Sequence, residues 1–383
     1  MTSIGEILSL LRETGEQSRA DLARMTGLSS AAATKITAKL IEGGYIEERR
    51  AEAFSGLGRP PVMLALRPDA RLVCGIHLSA GRVGVALADL HLNVVAEDRF
   101  EFPLDQAAAE VTAKTIQATN RLIERHGVAR QDIIGVGVGV PGRVDTAQRV
   151  NTHAVVTGWC DVPFADMFEL ALGLPVVLQH NATAIALAES WFGAGHRAQS
   201  TLHVFMGHGT GGGLAYGFGA QGPARIGGPI ELGHIVIDPQ GRPCACGGRG
   251  CLETVFSEMP LLAVLHSDTV PAEGLIAAVM KTPQWPEIYD AFLRVLATTI
   301  TLIAPEAVVL GGHLQAAPPE FLAALRHDLF ARIMPQQRVS LTIQPTQLGA
   351  NVGVRGAACA GLQKFFYEAG PERQRVARRP MNA

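Results

Sequence analysis

One short segment of this chain gathers a histidine and several cysteines. Three of the six cysteines lie between positions 244 and 251, ten residues after the histidine. The four residues are His234, Cys244, Cys246 and Cys251. Thiolates and an imidazole are the ligands of a closed, tetrahedral zinc site that has no open position for a catalytic water. The sequence therefore predicts one structural Zn²⁺ per chain; the alternative is a set of small buried cysteines beside a hydrogen-bonded histidine.

Length and composition exclude several classes of protein. The chain has 383 residues, so we expect two or three domains rather than a single core. Its 48% hydrophobic content and formal net charge of −2 are typical of a globular protein. No apolar run is long enough to cross a bilayer, and the N-terminus lacks the pattern of a signal peptide. Cys74, Cys160 and Cys359 lie in apolar surroundings, which predicts buried, reduced thiols in a cytoplasm.

The N-terminal segment has the pattern of a helix-turn-helix unit. Apolar residues over positions 4–13 recur at helical spacing and predict a first helix. Ser18 with Asp21 three positions later predicts the start of a second helix. Gly27 can end that helix in a left-handed conformation, and Ser29 can cap a third. An ordinary three-helix bundle is the alternative interpretation.

The third helix and the segment after it carry candidate DNA contacts. Residues 44–48 and 62–66 read as two strands, and the basic, Pro-containing segment 55–61 between them reads as a wing that can enter a minor groove. A short helix, a glycine turn and a longer helix make the helix-turn-helix arrangement, and its longer helix fits the major groove. The candidate contacts are Ser30, Thr34, Lys35, Lys39, Arg49, Arg50 and Arg59. Because basic and acidic residues nearly balance here, we expect a homodimer or homotetramer on a double-stranded operator.

The rest of the chain predicts a two-lobed α/β domain. Three strand-like runs, a helix over 107–126 and an apolar strand over 133–140 are followed by a second, similar series. Such a repeat indicates a duplicated α/β fold with a cleft between its lobes. We predict domains at 1–68 and 69–369, lobes at about 72–190 and 191–369, and a flexible basic tail over 370–383.

Several motifs in this larger part resemble the signature of the ROK family. They lie at residues 137–142, 181–189, 207–213, 231–234 and 250–253. That family comprises bacterial sugar kinases and sugar-responsive repressors, the latter with an N-terminal winged helix-turn-helix. The resemblance implies an actin/hexokinase-like fold, a duplicated ribonuclease H-like α/β domain. The layout is most similar to the NagC/XylR-type regulators of the family.

The resemblance also implies roles for residues in the cleft. In the family, the positions of Glu231, His234 and Glu253 bind sugar hydroxyls. Asn181 stands at the position of the kinases' general base, and an amide cannot accept the proton of a hydroxyl. Residues 77–82 replace the kinases' phosphate-binding Asp-x-Gly-Gly-Thr turn, and His208 replaces the usual threonine of the glycine-rich loop. These changes predict a protein without kinase activity that binds a small carbohydrate or sugar phosphate.

The sequence therefore predicts a sugar-responsive transcriptional regulator of a bacterial cytoplasm, nucleoid-associated when bound to DNA. A repressor of carbohydrate uptake or catabolism genes is the expected form. Two alternatives stay open at this level. One is an active sugar kinase with an accessory DNA-binding domain, and the other is a regulator sequestered by a transporter protein. The sequence identifies neither the sugar nor the operator, and it does not distinguish a dimer from a tetramer.

Overall fold

A computed structural model describes residues 2–50, 61–217 and 225–370 of the chain. Its α-helices are α1 Ser3–Thr14, α2 Arg19–Thr26, α3 Ser30–Glu42, α4 Ala108–Arg125, α5 Phe164–Leu172, α6 Asn181–Phe192, α7 Glu258–Val264, α8 Leu275–Val279, α9 Trp285–Ile303, α10 Pro319–Arg332, α11 Pro335–Arg338 and α12 Val352–Leu362, which continues as a π-helix over Gln363–Glu368. Its strands are β1 Gln17–Ser18, β2 Ile46–Arg50, β3 Val62–Leu66, β4 Leu72–Ser79, β5 Arg82–Ala88, β6 Val94–Glu101, β7 Ile133–Val140, β8 Arg143–Asp145, β9 Val150–Ala154, β10 Trp159–Val162, β11 Val176–His180, β12 Ser200–Met206, β13 Thr210–Tyr216, β14 Arg225–Ile230, β15 Ala307–Gly312 and β16 Thr342–Pro345.

The N-terminal unit is a winged helix-turn-helix whose helices begin where the sequence predicts. The Ser18 hydroxyl accepts the N–H of Asp21 and caps α2, and the Ser29 hydroxyl caps α3 by accepting the N–H of Ala32. Gly27 ends α2 with a left-handed φ of 68°. The strands pair antiparallel in the order β1–β3–β2. Residues 51–60, which include Arg59 and most of the predicted wing tip, lie outside the described residues.

The first large sheet has the strand order β11–β7–β4–β5–β6. Strands β4, β5 and β6 are antiparallel, whereas β4, β7 and β11 are parallel. In this register His77 lies opposite Gly139, and His180 lies opposite Val140. The carboxyl ends of the three parallel strands therefore meet at one edge, where α6 begins.

The second large sheet repeats this order with β14–β13–β12–β15–β16. Again the first three strands in sequence are antiparallel, and two later strands add in parallel on the other side. Two sheets of one topology in a single chain confirm the predicted duplicated, two-lobed α/β fold. A separate small sheet, β10–β9–β8, lies at the edge of the first lobe.

Two helices, α6 and α12, pack closely against the sheets because glycines in the strands leave room for their backbones. A Cβ at Gly137 of β7 would lie 1.8 Å from the carbonyl oxygen of Ala357 in α12. A Cβ at Gly213 of β13 would lie 2.2 Å from the carbonyl oxygen of Ala182 in α6. Since no side chain fits at such distances, these glycines permit the close packing of helix on sheet.

The three cysteines outside the segment 244–251 differ in burial. Cys74 and Cys359 are fully buried, as predicted, and burial raises the pKa of the Cys74 thiol to about 12. The prediction of a buried thiol is wrong for Cys160, which is exposed. Because strand side chains alternate between two faces, the burial of Trp159 turns Cys160 outward. The Sγ of Cys160 lies 3.2 Å from Nδ1 of His153. In the described ranges no helix is both long and apolar enough to span a membrane.

Candidate metal centre and inter-lobe cleft

The four candidate metal ligands converge in the loop that follows β14. A short turn over Leu232–His234 presents the histidine, and the chain then returns so that Val236 pairs with Cys251. The return is tight at Gly250, whose φ is 67° and where a Cβ would lie 1.6 Å from the carbonyl oxygen of Asp238. Only glycine fits there without distortion. The loop therefore brings its two ends together around the cysteines.

The donor atoms of His234, Cys244, Cys246 and Cys251 all lie within 4.8 Å of one another. Nδ1 of His234 is 3.5 Å from Sγ of Cys244, and Sγ of Cys246 is 3.8 Å from Sγ of Cys251. A zinc tetrahedron with Zn–S of about 2.3 Å and Zn–N of about 2.1 Å has edges of roughly 3.5–3.8 Å. The cluster therefore has the donor types and the spacing to bind a metal ion.

The electrostatics of the cluster also favour a cation. Burial and the adjacent thiols raise the pKa of Cys251 to about 12, while the backbone N–H of Gly248 lowers the pKa of Cys246. Three crowded thiols do not ionise together without a compensating positive charge. A divalent cation supplies that charge, and thiolates are its natural ligands.

The first-lobe edge of the cleft is built from Asn181 and His77. Asn181 opens α6, and its Nδ2 donates to the carbonyl oxygen of Leu78 at 2.7 Å. Its Oδ1 is buried and, among the described residues, has no hydrogen-bond partner. A Cβ at Gly139 would lie 2.6 Å from this oxygen and 3.7 Å from the His77 ring, so the glycine makes room for both side chains. Burial lowers the pKa of His77 to about 4, so this edge is uncharged at neutral pH.

The second-lobe edge carries carboxylates. Glu231 is exposed directly after β14. Burial lowers the pKa of His180, and the charge of the nearby Glu231 opposes that shift. Glu253 follows the last cysteine, and its Oε2 accepts the N–H of Thr210 at 2.7 Å. A Cβ at Gly209 would lie 2.8 Å from that oxygen. Glu253 is therefore fixed against the glycine-rich loop, a contact that the sequence did not predict.

A further carboxylate, Glu258, bridges two histidines beside the glycine-rich loop. Its Oε2 is 2.6 Å from Nε2 of His313, and its Oε1 is 3.8 Å from Nε2 of His208. The N–H of Glu258 also donates to the carbonyl oxygen of Gly207 at 2.7 Å. Sequence reasoning identified His208 but missed Glu258 and His313. The one available signal was that His313 directly follows a buried strand, at the edge where sites of α/β sheets lie.

The predicted DNA contacts that the structure describes are exposed. Ser30, Thr34, Lys35 and Lys39 are all exposed on α3. Arg49 and Arg50 are exposed on β2, near the point where the described chain stops. Arg49 forms ion pairs with Glu16 at 2.8 Å and with Glu47 at 2.6 Å, and these hydrogen bonds raise the pKa of Arg49.

Comparison with known proteins agrees with this architecture. A ROK family model matches residues 73–364, and a model of winged helix-turn-helix DNA-binding domains matches residues 3–47. The chain belongs to the ROK family. The DNA-binding transcriptional repressor Mlc of Escherichia coli (strain K12) is 25% identical over 375 residues, which cover 93% of this chain and 92% of that protein. The predictions of a ROK-type fold and of a winged helix-turn-helix are therefore confirmed.

Both functional branches of the family are represented among the relatives of this ROK protein. A glucokinase of Halalkalibacterium halodurans is 29% identical over 307 residues, covering 73% of this chain and 92% of the kinase. A crystal structure of a ROK family transcriptional regulator, described as a homologue of E. coli Mlc, superposes with a TM-score of 0.79 at 23% identity and covers 98% of each chain. That superposition extends the shared fold over almost the full length.

Proposed function

We propose that this ROK protein is a sugar-responsive transcriptional regulator, a repressor of carbohydrate uptake or catabolism genes, without kinase activity. The observation that carries the proposal is the combination, in one chain, of a winged helix-turn-helix with a ROK cleft whose general-base position is an amide. Match to a named repressor over nearly the whole length supports it. The proposal keeps the domain limits 1–68 and 69–369, with a basic tail over 370–383.

The absence of kinase activity is argued from three features of the cleft. Asn181 cannot take a proton from a sugar hydroxyl, and such proton transfer contributes roughly 10²–10⁴-fold to a reaction rate. His77 is neutral where the family's kinases have an acid that organises phosphate and metal. Glu258 places a carboxylate, 2.6 Å from Nε2 of His313, beside the glycine-rich loop where the phosphates of ATP would have to lie, and a carboxylate offers phosphate oxygens no hydrogen-bond donor.

The sugar is proposed to lie between the two lobes. Its contacts are Asn181, Glu231, His234 and Glu253. The buried Oδ1 of Asn181 gains the hydrogen bond that it otherwise lacks when a hydroxyl donates to it. Carboxylates accept directional bonds from a polyol, and the exposed Glu231 can do so without losing an existing partner in the described structure.

One structural Zn²⁺ per chain is proposed at His234, Cys244, Cys246 and Cys251. When bound, zinc would crosslink these four residues and supply no redox chemistry. Since Nδ1 of His234 faces Cys244, its Nε2 remains the ring nitrogen for a sugar hydroxyl. The same crosslink holds the loop between Glu231 and Glu253, so the metal fixes the spacing of the two carboxylates.

The proposed partners are double-stranded operator DNA and a second copy of the chain, as a homodimer or homotetramer. The proposed DNA contacts are Ser30, Thr34, Lys35 and Lys39 on α3, with Arg49, Arg50 and Arg59 in or near the wing. Basic and acidic residues nearly balance in one module, so two modules on a palindromic site supply the affinity. The protein then acts in the cytoplasm, on the nucleoid when bound.

The proposal is tested by two assays on the purified full-length protein. In the first, an operator is selected from randomised DNA, and its release is followed while glucose, N-acetylglucosamine, xylose or glucose 6-phosphate is added. We expect at least one of these sugars to change operator affinity tenfold or more. In the second, coupled ATP consumption is measured with the same sugars. Turnover at ordinary kinase rates of about 1–100 s⁻¹ would contradict the proposal.

A further inference from the structure

We propose that helix α6 connects the sugar cleft to the DNA-binding domain, and that Arg12 of α1 is its contact at the DNA-binding end. The inference rests on the proposed function, because only an effector-responsive regulator needs such a connection. Residues from α1, from α6 and from the π-helix after α12 carry the argument.

The first end of α6 lies in the cleft. Asn181, its first residue, is held by the bond from Nδ2 to the Leu78 carbonyl, and Glu231 of the other lobe lies near the preceding His180. The close approach of Gly213 to the Ala182 carbonyl seats the first turn against the second-lobe sheet. A sugar bound between Asn181 and Glu231 therefore acts directly on the beginning of this helix.

The second end of α6 lies about 18 Å away, from its 12 residues at about 1.5 Å each. Its last two residues are Trp191 and Phe192. The guanidinium carbon of Arg12 lies 3.6 Å from the Trp191 ring centroid, and it also lies 4.6 Å from the ring of Tyr367. Its side chain is only 2% exposed, so this contact is fully inside the interface of the two domains. A guanidinium in contact with two aromatic rings is held in a defined orientation.

The body of α6 is suited to move as a unit. Its residues from Ala182 to Trp191 are buried, and one apolar core includes Leu8 and Leu11 of α1 together with Trp191 and Tyr367. Glu189 fixes the following turn by accepting the N–H of Ala194 at 2.8 Å. A helix enclosed on all sides passes a displacement of one end to the other because close-packed interiors deform little.

The Arg12 contact combines a paired charge with a buried polar group that has no partner among the described residues. Its charge is paired with Glu13 at 2.5 Å. Within the described residues, however, Nε1 of Trp191 is buried without a hydrogen-bond partner. Buried unpaired polar groups are destabilising, so a modest bias from the ligand can favour a different packing of α1.

The first part of the test needs no sugar. Hydrogen exchange of the full-length protein is compared with that of Arg12→Met, which keeps a long apolar side chain but loses the charge and its stacking. We expect exchange at least fivefold faster both in α1 and in residues 181–187, the half of α6 near the cleft. Arg24→Met is the matched control, since Arg24 is 77% exposed on the neighbouring α2. Faster exchange in α1 with no change over 181–187 would overturn the proposal.

Trp191→Phe guards against a variant that fails to fold. It keeps a buried ring but weakens the cation–π contact, so the same two segments should exchange faster, by a smaller factor. If the two segments respond to Trp191→Phe independently, with α1 affected and residues 181–187 unaffected, the connection through α6 is refuted by this variant as well.

The second part uses whichever of glucose, N-acetylglucosamine, xylose and glucose 6-phosphate changes wild-type operator affinity. We expect Arg12→Met to bind that sugar in calorimetry and to bind the selected operator, but to show less than a threefold effect of the sugar on operator affinity. A full sugar effect in Arg12→Met would contradict the inference. If the wild-type protein responds to none of the four, the proposed function is at fault, and the exchange result still decides the role of α6.

Discussion

The two lobes share one strand order but present different chemistry to the cleft between them. The first-lobe edge offers an amide, Asn181, and an uncharged imidazole, His77. The second-lobe edge offers the carboxylates of Glu231, Glu253 and Glu258, two of which lie at the ends of the metal loop. The second lobe thus offers hydrogen-bond acceptors to the cleft, while the first lobe lacks the proton acceptor that a kinase needs. Under the proposed function, the cleft would keep sugar recognition without proton transfer, because the two depend on different side chains.

The largest expected effect comes from breaking the metal loop, which only the second lobe has among the described residues. Replacing Cys251 with Ser should reduce bound zinc to well under one ion per chain by elemental analysis. Structural zinc contributes about 10 kcal/mol or more in isolated zinc-finger peptides. We expect a smaller loss of several kcal/mol here, measured by denaturant unfolding, because the second lobe has its own apolar core.

The matched control is Cys160→Ser, since Cys160 is exposed and lies outside the cluster. This variant should keep both the zinc and the free energy of unfolding of the wild type. Full retention of zinc in Cys251→Ser would show that another donor set holds the ion.

A second prediction concerns the close packing of helix on sheet that the two lobes share. Gly137→Ala in the first sheet and Gly213→Ala in the second would each place a methyl group within 2.2 Å or less of a helix carbonyl oxygen. Because that neighbour is backbone, the helix itself must shift, and each substitution should lower the free energy of unfolding by about 3 kcal/mol. Gly211→Ala is the control, since a Cβ there meets nothing within 4 Å. Equal stability of all three variants would refute the close packing.

The third prediction compares one histidine in each lobe, the half-buried His77 and the buried His203. Burial lowers the pKa of His77 to about 4 and that of His203 to about 3, from an ordinary value of 6.5. Below pH 6.5 each ring binds a proton in the unfolded chain but not in the native chain. The free energy of unfolding therefore falls as the pH falls, until the pH reaches the pKa of the folded state. At about 1.4 kcal/mol per pKa unit, each ring should account for roughly 2 kcal/mol between pH 6.5 and pH 5.

Unfolding by guanidinium at pH 7 and at pH 5 measures this difference. His77→Gln should reduce the loss on acidification, whereas His327→Gln, at an exposed position of α10, should leave it unchanged. If the wild type, His77→Gln and His327→Gln all lose the same free energy of unfolding between pH 7 and pH 5, the ring of His77 is protonated in the native state at pH 5.

The metal loop and the helix caps could be predicted because their determinants are local. His234 and the three cysteines lie within 18 residues. Ser18 and Ser29 each cap the helix that begins at the next residue by accepting the N–H three positions later. The bridge from Glu258 to His313 could not be predicted in this way, because the two residues are 55 positions apart and meet only when β15 joins the sheet. The exposure of Cys160 depends on which face of a four-residue strand is covered, and so short a strand gives no periodicity to read.

The smallest effect should separate recognition from catalysis at the cleft. Glu253→Gln keeps the shape of the side chain but loses the negative charge, so calorimetry should show sugar binding weakened about tenfold, or about 1.4 kcal/mol.

Asn181→Asp makes the opposite change in the first lobe, because it places an acid at the general-base position. This variant should still show no ATP consumption above background with any of the four sugars, because Glu258 continues to occupy the phosphate side of the glycine-rich loop with His208 and His313. Turnover by Asn181→Asp alone would instead mean that one missing proton acceptor separates this regulator from a kinase, and that the second lobe has kept a working phosphate site.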